Sequence, residues 1–107
     1  MNVLNDLYSI SLDRKQNFTE GSYTCYLFEA GLDKILKKVG EECAETVIAA
    51  KNGDNKATTA EVCDLFYHVL VMMAAAGIDI REIEDELAAR SQKIGNLKTM
   101  KKTDKLT

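Results

Sequence analysis

Thr59-Ala60-Glu61-Val62-Cys63-Asp64-Leu65-Phe66-Tyr67-His68-Val69-Leu70-Val71-Met72-Met73-Ala74-Ala75-Ala76 is apolar nearly all the way round a helical wheel. A helix patterned like this is the central, buried element of a helical protein. Its few chemically active residues are not scattered. Glu61, Asp64 and His68 share an arc of about 60° at 100° per residue. A lone buried carboxylate carries a severe desolvation cost, so it must be protonated, paired with a base or bound to a cation. No lysine or arginine lies between Lys56 and Arg81 to pair with it locally.

Working outward, glycines mark the boundaries. Gly21, Gly31, Gly53, Gly77 and Gly95 fall between periodic segments, as helix stops and turns do, whereas Gly40 lies inside one. Val3–Lys15 carries Val3, Leu7 and Ile10 on one stripe and reads as an amphipathic helix. Asn17–Tyr23 reads as a loop, with Ser22 placed to cap a short helix through about Glu29. Leu32–Lys51 is a long helix with its apolar stripe on Leu32, Ile35, Leu36, Val39, Cys43, Thr46, Val47 and Ala50. Gly53–Thr59 is a polar connection. After the central helix, Asp79 offers an N-cap with Glu82 as its capping-box partner. That last helix runs to about Ile94, with Ile80, Ile83, Leu87 and Ile94 inward. The fold class is all-α: an antiparallel bundle of four to five helices with short connections. Residues 1–95 form one domain, and 96–107 form a lysine-rich flexible tail.

With 107 residues, the chain is one domain and buries a limited core alone, which dimerisation would extend. It has no proline, which leaves room for long helices. The net charge of −3 argues against nucleic-acid binding driven by phosphate neutralisation. The tail sets Lys98, Lys101, Lys102 and Lys105 against Asp104, so the body is more acidic than the whole. Cys25, Cys43 and Cys63 are odd in number and form no C-x-x-C pair, so they read as small core residues of a reducing, cytoplasmic compartment. The N-terminus lacks the basic start and apolar run of a signal peptide. Val62–Ile78, interrupted by Asp64 and His68, falls short of a membrane span.

The acidic residues carry the chemistry. Glu41-Glu42-x-x-Glu45 precedes Glu61-x-x-Asp64 on the next helix. Antiparallel neighbours would bring Glu42, Glu45, Glu61 and Asp64 together, Glu42 and Glu45 at the flank of their stripe and Glu41 outward. An all-oxygen set suits Mg²⁺ or Mn²⁺. Zinc is disfavoured without a second histidine or a well-placed cysteine. A ferritin-like di-iron site needs two Glu-x-x-His motifs, and the chain has one histidine. Lys34, Lys37 and Lys38 precede the acids and Lys51 follows them. They are either plain surface ion pairs or receivers of phosphate oxygens. His68 reads as a hydrogen-bonded core histidine.

These residues resemble a known family, the phosphoribosyl-ATP pyrophosphatases (diphosphatases) among the MazG-like all-α nucleoside triphosphate pyrophosphohydrolases. The broad pattern is Glu41, Glu42, Glu45, Glu61 and Asp64. The narrower resemblance lies in Gly21–Thr24, Gly31–Glu42, Ile48–Lys51, Glu61–His68 and Glu86-Leu87 with Arg90, together with Arg14. It implies Mg²⁺-dependent hydrolysis of phosphoribosyl-ATP to phosphoribosyl-AMP and pyrophosphate, the second step of histidine biosynthesis, by a homodimer. By this resemblance Glu42, Glu45, Glu61 and Asp64 bind the metal, and Glu41 is a ligand, an outer-shell residue or the base. Lys34, Lys37 and Lys38 contact phosphates. Arg14, Ser22, Tyr23, Thr24, Lys51 and Arg90 hold the ribose-phosphate ends. Two other readings stand beside it: a house-cleaning (d)NTP pyrophosphatase, and a non-catalytic helical dimer whose acids are a solvated face.

Overall fold

The structure, a computed structural model, describes residues 2–93. It contains five helices and no strand among the described residues: α1 (Val3–Gln16), α2 (Tyr23–Ala30), α3 (Leu32–Lys51), α4 (Asn55–Ala76) and α5 (Ile80–Ser91). Each boundary has a local cause. The Asn2 side chain caps α1 and the Ser22 side chain caps α2. Gly31 alone separates α2 from α3, at φ +98°, where a side chain would be strained. Gly77 closes α4 in the left-handed region, and Ile78 N–H returns to the Met73 carbonyl. The capping box of Asp79 and Glu82 then starts α5.

α3 and α4 form the main hairpin. Glu45 meets Glu61 near the turn, and Ile35 packs with Val71 farther from it, which is an antiparallel register. The core has two linked clusters. Leu27, Ile35 and Val71 form one, and Tyr8, Leu70, Met73, Ala74 and Ile80 form the other, with Phe28 packed against both. The Tyr8 hydroxyl donates to the Ile78 carbonyl at 2.5 Å, and Lys15 Nζ donates to the Ala74 carbonyl at 3.0 Å, where a cation complements a helix C-terminus.

Several expectations are corrected. α4 begins at Asn55, not Thr59, because Asp54 accepts from Ala57 N–H and starts it a turn earlier. That length and composition are enough for a membrane span, but α4 packs between α1 and α3 as a core helix. Its burial is confined to the second half, at His68, Leu70, Val71, Met73 and Ala74. α1 turns Tyr8 and Ser11 inward and leaves Val3, Leu7 and Ile10 exposed. On α3 Ile35 is buried as expected, but the packed face continues through Glu42 and Ala49 and is centred about 80° from the centre of the apolar stripe. Leu32, Leu36 and Val47 are therefore exposed. On α5 only Ile80 is buried; Ile83 and Leu87 are exposed, and the helix stops at Ser91. Cys25 is buried as expected, whereas Cys43 and Cys63 are exposed. Ile94, Gly95 and the lysine-rich tail lie outside the described residues.

Candidate metal centre

The rotation of α3 gives the site its character. Glu42 stands one heptad from both Ile35 and Ala49, in the middle of the face packed on α4, and is only 6% exposed. Glu45 lies one turn on, and Glu61 faces both from α4. One oxygen from each of Glu42, Glu45 and Glu61 lies within 4.8 Å of the others. Glu42 Oε2 and Glu61 Oε2 are buried without a hydrogen-bond partner. Unpaired buried carboxylate oxygens are costly and uncommon. Proton sharing with Glu45, burial and the nearby charges of Glu45 and Glu42 push Glu61 up to about 7. An oxygen-only set of donors brought this close together fits a hard divalent cation such as Mg²⁺ or Mn²⁺. Asp64 is not in this trio. It lines a recess of about 390 Å³ with Leu7, Thr24, Cys63 and Tyr67, between α4 and the first two helices.

A basic flank adjoins the acids. Lys38 Nζ lies 3.2 Å from Glu41 and 3.6 Å from Glu42. The Glu41 hydrogen bond is the main cause that raises Lys38, and the same bond lowers Glu41, with Lys37 and Lys34 adding to it. Glu41 is thus the partner of the lysines rather than a member of the trio. Lys37 is mostly exposed, 3.8 Å from Glu41. Beyond the trio, Glu45 and Glu61 border an open cleft of about 330 Å³ with Ala49, Asn52, Asp54 and Ala57. Lys51, on the last turn of α3, is exposed.

The other predicted binding residues are more dispersed. Tyr23 and Thr24 open α2, beside α4. The Tyr23 hydroxyl is 3.0 Å from His68 Nε2, and Thr24 hydrogen-bonds the Tyr67 hydroxyl. Burial is the main cause that raises the Tyr23 hydroxyl; Lys38 opposes it, and Tyr67, Glu42 and Tyr26 add to it. Tyr23 is therefore within electrostatic reach of both signs of the site. Ser22 is taken up in capping Cys25 N–H. Arg14 pairs with Asp13, and Arg90 with Glu86 on its own helix. Neither makes an ion pair or hydrogen bond to the acidic trio among the described residues. The sequence pattern does not reveal Tyr67, which differs from its apolar neighbours only by a hydroxyl.

Fold and site together define an all-helical protein whose main hairpin brings the buried Glu42, the half-buried Glu61 and the exposed Glu45 together beside lysines. The particular family follows from comparison. The family model described as phosphoribosyl-ATP pyrophosphohydrolase matches residues 4–91, and the chain belongs to that family. It is 53% identical over 102 residues to the phosphoribosyl-ATP pyrophosphatase of Clostridium botulinum (strain Hall), covering 95% of this chain and 93% of the relative. The Pelotomaculum thermopropionicum protein of the same name is 55% identical over 91 residues, covering 85% and 93%. That of Listeria welshimeri is 48% identical over 104 residues, covering 97% and 100%.

Proposed function

We propose that the chain hydrolyses phosphoribosyl-ATP to phosphoribosyl-AMP and pyrophosphate, in the second step of histidine biosynthesis, in the cytoplasm. Family membership supports the substrate. The observation that carries the chemistry is the trio of Glu42, Glu45 and Glu61 with its two unpaired buried oxygens. Those three residues, with Asp64 from the adjoining recess, would hold Mg²⁺, or Mn²⁺ in its place. The bound cation supplies charge stabilisation for phosphate oxygens and a more acidic water.

The chain's own groups do the rest. Lys38, with Lys34 and Lys37, receives phosphate oxygens, exchanging its pairing with Glu41 for the more highly charged ligand. Glu41, released from Lys38, accepts a proton or orients water at the edge of the trio. Tyr23 and Thr24 bound the nucleotide on the α2 side. Arg14, Ser22, Lys51 and Arg90 remain contacts for its outer ends. A homodimer would cover the exposed apolar side chains of α1, α3 and α5, including an apolar groove of about 270 Å³ lined by Leu4, Phe66, Val69, Met73, Ile83 and Leu87. Sedimentation of the purified chain checks this, with a two-copy mass expected.

The test of function is pyrophosphate release from phosphoribosyl-ATP beside a panel of dNTPs, with Mg²⁺ and with EDTA. Metal-dependent release from phosphoribosyl-ATP alone is expected. Release from dNTPs alone would keep the site and discard the substrate, and release in EDTA would discard the metal.

A further inference from the structure

Two successive side chains of α4 grip the first turn of α2. Tyr67 is hydrogen-bonded to Thr24, and His68, only 5% exposed, reaches the Tyr23 hydroxyl. The other ring nitrogen of His68, Nδ1, lies 2.7 Å from the main-chain oxygen of Asp64. A carbonyl oxygen only accepts, so Nδ1 carries the hydrogen and, in the neutral ring, Nε2 is an acceptor. The proton in the Tyr23–His68 bond therefore comes from the phenol. Tyr23 has only one such proton, so its oxygen offers a ligand lone pairs and no donor.

Ionised phosphate oxygens are acceptors and gain nothing from an oxygen in that state. A nucleotide's donors near its phosphates are the ribosyl hydroxyls. We propose that His68 is a positioning residue that engages the Tyr23 proton and so makes the Tyr23 oxygen an acceptor for a ribosyl hydroxyl, not a donor to phosphate. The inference rests on the phosphoribosyl-ATP reading above and refines it. The ribose, not the phosphate, is what Tyr23 recognises. Asp64 enters the same device through its backbone, so the helix that presents carboxylates also sets the hydrogen-bond polarity of α2.

The test compares two ligands and four variants, with Mg²⁺ present throughout. For Tyr23→Phe, KM for phosphoribosyl-ATP is expected to rise about 5- to 10-fold, the scale of one neutral hydrogen bond. kcat should change less than twofold, and the affinity for inorganic pyrophosphate, which has no ribose, should not move. His68→Leu is expected to raise KM as much as Tyr23→Phe does, and the double variant no more than either. His68→Gln, whose amide oxygen accepts from the phenol, should bring KM back to within twofold of the parent. Equal weakening of pyrophosphate and substrate by Tyr23→Phe would overturn the proposal, because the phenol would then be a phosphate donor. So would an unchanged KM, or additive effects in the double variant. If His68→Leu does not fold, the Tyr23→Phe comparison of the two ligands decides alone. A parent chain that binds Mg²⁺ and pyrophosphate yet releases nothing from phosphoribosyl-ATP would sink the functional reading and this inference with it, an outcome recognisable before any variant is made.

Discussion

The two halves of α4 differ in composition and in fate: Asn55–Tyr67 carries Lys56, Glu61 and Asp64 among its apolar residues, whereas after His68 the helix is apolar to Ala76. From His68 to Ala75 the helix is packed, with Val71 fully buried and Leu70, Met73 and Ala74 nearly so. From Asn55 to Tyr67 it is half-buried or exposed, and Phe66 points outward. The second half is covered by Tyr8 of α1, by Leu27 and Phe28 of α2, and by Ile35 of α3. The first half faces Glu42 and Glu45 instead. Here the hairpin places carboxylate against carboxylate where apolar contact would have been more stable. One half of this helix thus serves folding, and the other is left less covered by the chain's own side chains.

The largest effect expected from that division is on activity. Glu61→Gln should lower kcat/KM about 10³-fold, equivalent to about 4 kcal/mol, as when a group that stabilises transition-state charge is removed. Its helical far-UV CD signal should be unchanged. Asp64→Asn is expected to cost activity heavily too, with the fold retained, and a fully active Asp64→Asn would remove that residue from the metal set. Next comes the packed half. Val71→Ala should destabilise by about 2 kcal/mol in denaturant unfolding, through lost burial and a residual cavity. Activity per folded molecule should be retained. The reverse pattern in either variant, stability lost at Glu61 or turnover lost at Val71 without unfolding, would break the comparison.

A smaller effect sharpens it. In metal-free protein, Glu61 holds its proton up to about 7, well above the ordinary carboxylate range. Between the two values the folded state binds more protons than the unfolded state, so stability falls as pH rises through that window and levels off above it. EDTA-treated protein should melt at progressively lower temperature from about pH 5 to pH 7, and Glu61→Gln should flatten the trend. A melting temperature that rises over this range would mean that the trio is not a repelling cluster.

Much of this is legible in the sequence, and the exceptions share a cause. Ser22 and Asp79 announce their helices because a cap is local chemistry, visible within four residues. Asp54 is the same signal, but it is hidden in a run that reads as a polar turn. The antiparallel meeting of Glu42, Glu45 and Glu61 follows from two helices and a short connection. Which face of α3 packs does not follow. Of the apolar stripe Leu32, Ile35, Leu36, Val39, Cys43, Thr46, Val47 and Ala50, the chain buries Ile35, yet it leaves Leu32, Leu36, Cys43 and Val47 exposed and packs Glu42 and Ala49 instead. An apolar stripe says that a face is to be covered, not whether its own chain covers it. For the same reason the pattern misplaces Val3, Leu7, Ile10, Ile83 and Leu87. Asp64 groups with Glu61 by wheel angle alone, and the roughly 60° between them is enough to send it to the recess beside Thr24.

The smallest predicted effect concerns Gly40, the glycine inside α3. A close helix approach would have explained it, but a Cβ built there meets nothing within 4 Å, and its φ is not in the left-handed region. Within the chain, the residue therefore costs helix stability without compensation. Gly40→Ala should stabilise by up to about 1 kcal/mol in thermal or denaturant unfolding. Turnover then tells what the open space is for. Unchanged turnover would make Gly40 a neutral feature of the basic flank. A fall in turnover alongside the stability gain would mean that nucleotide or a second copy approaches the backbone just before Glu41 and Glu42. The open half of the hairpin would then extend along α3 as far as Gly40.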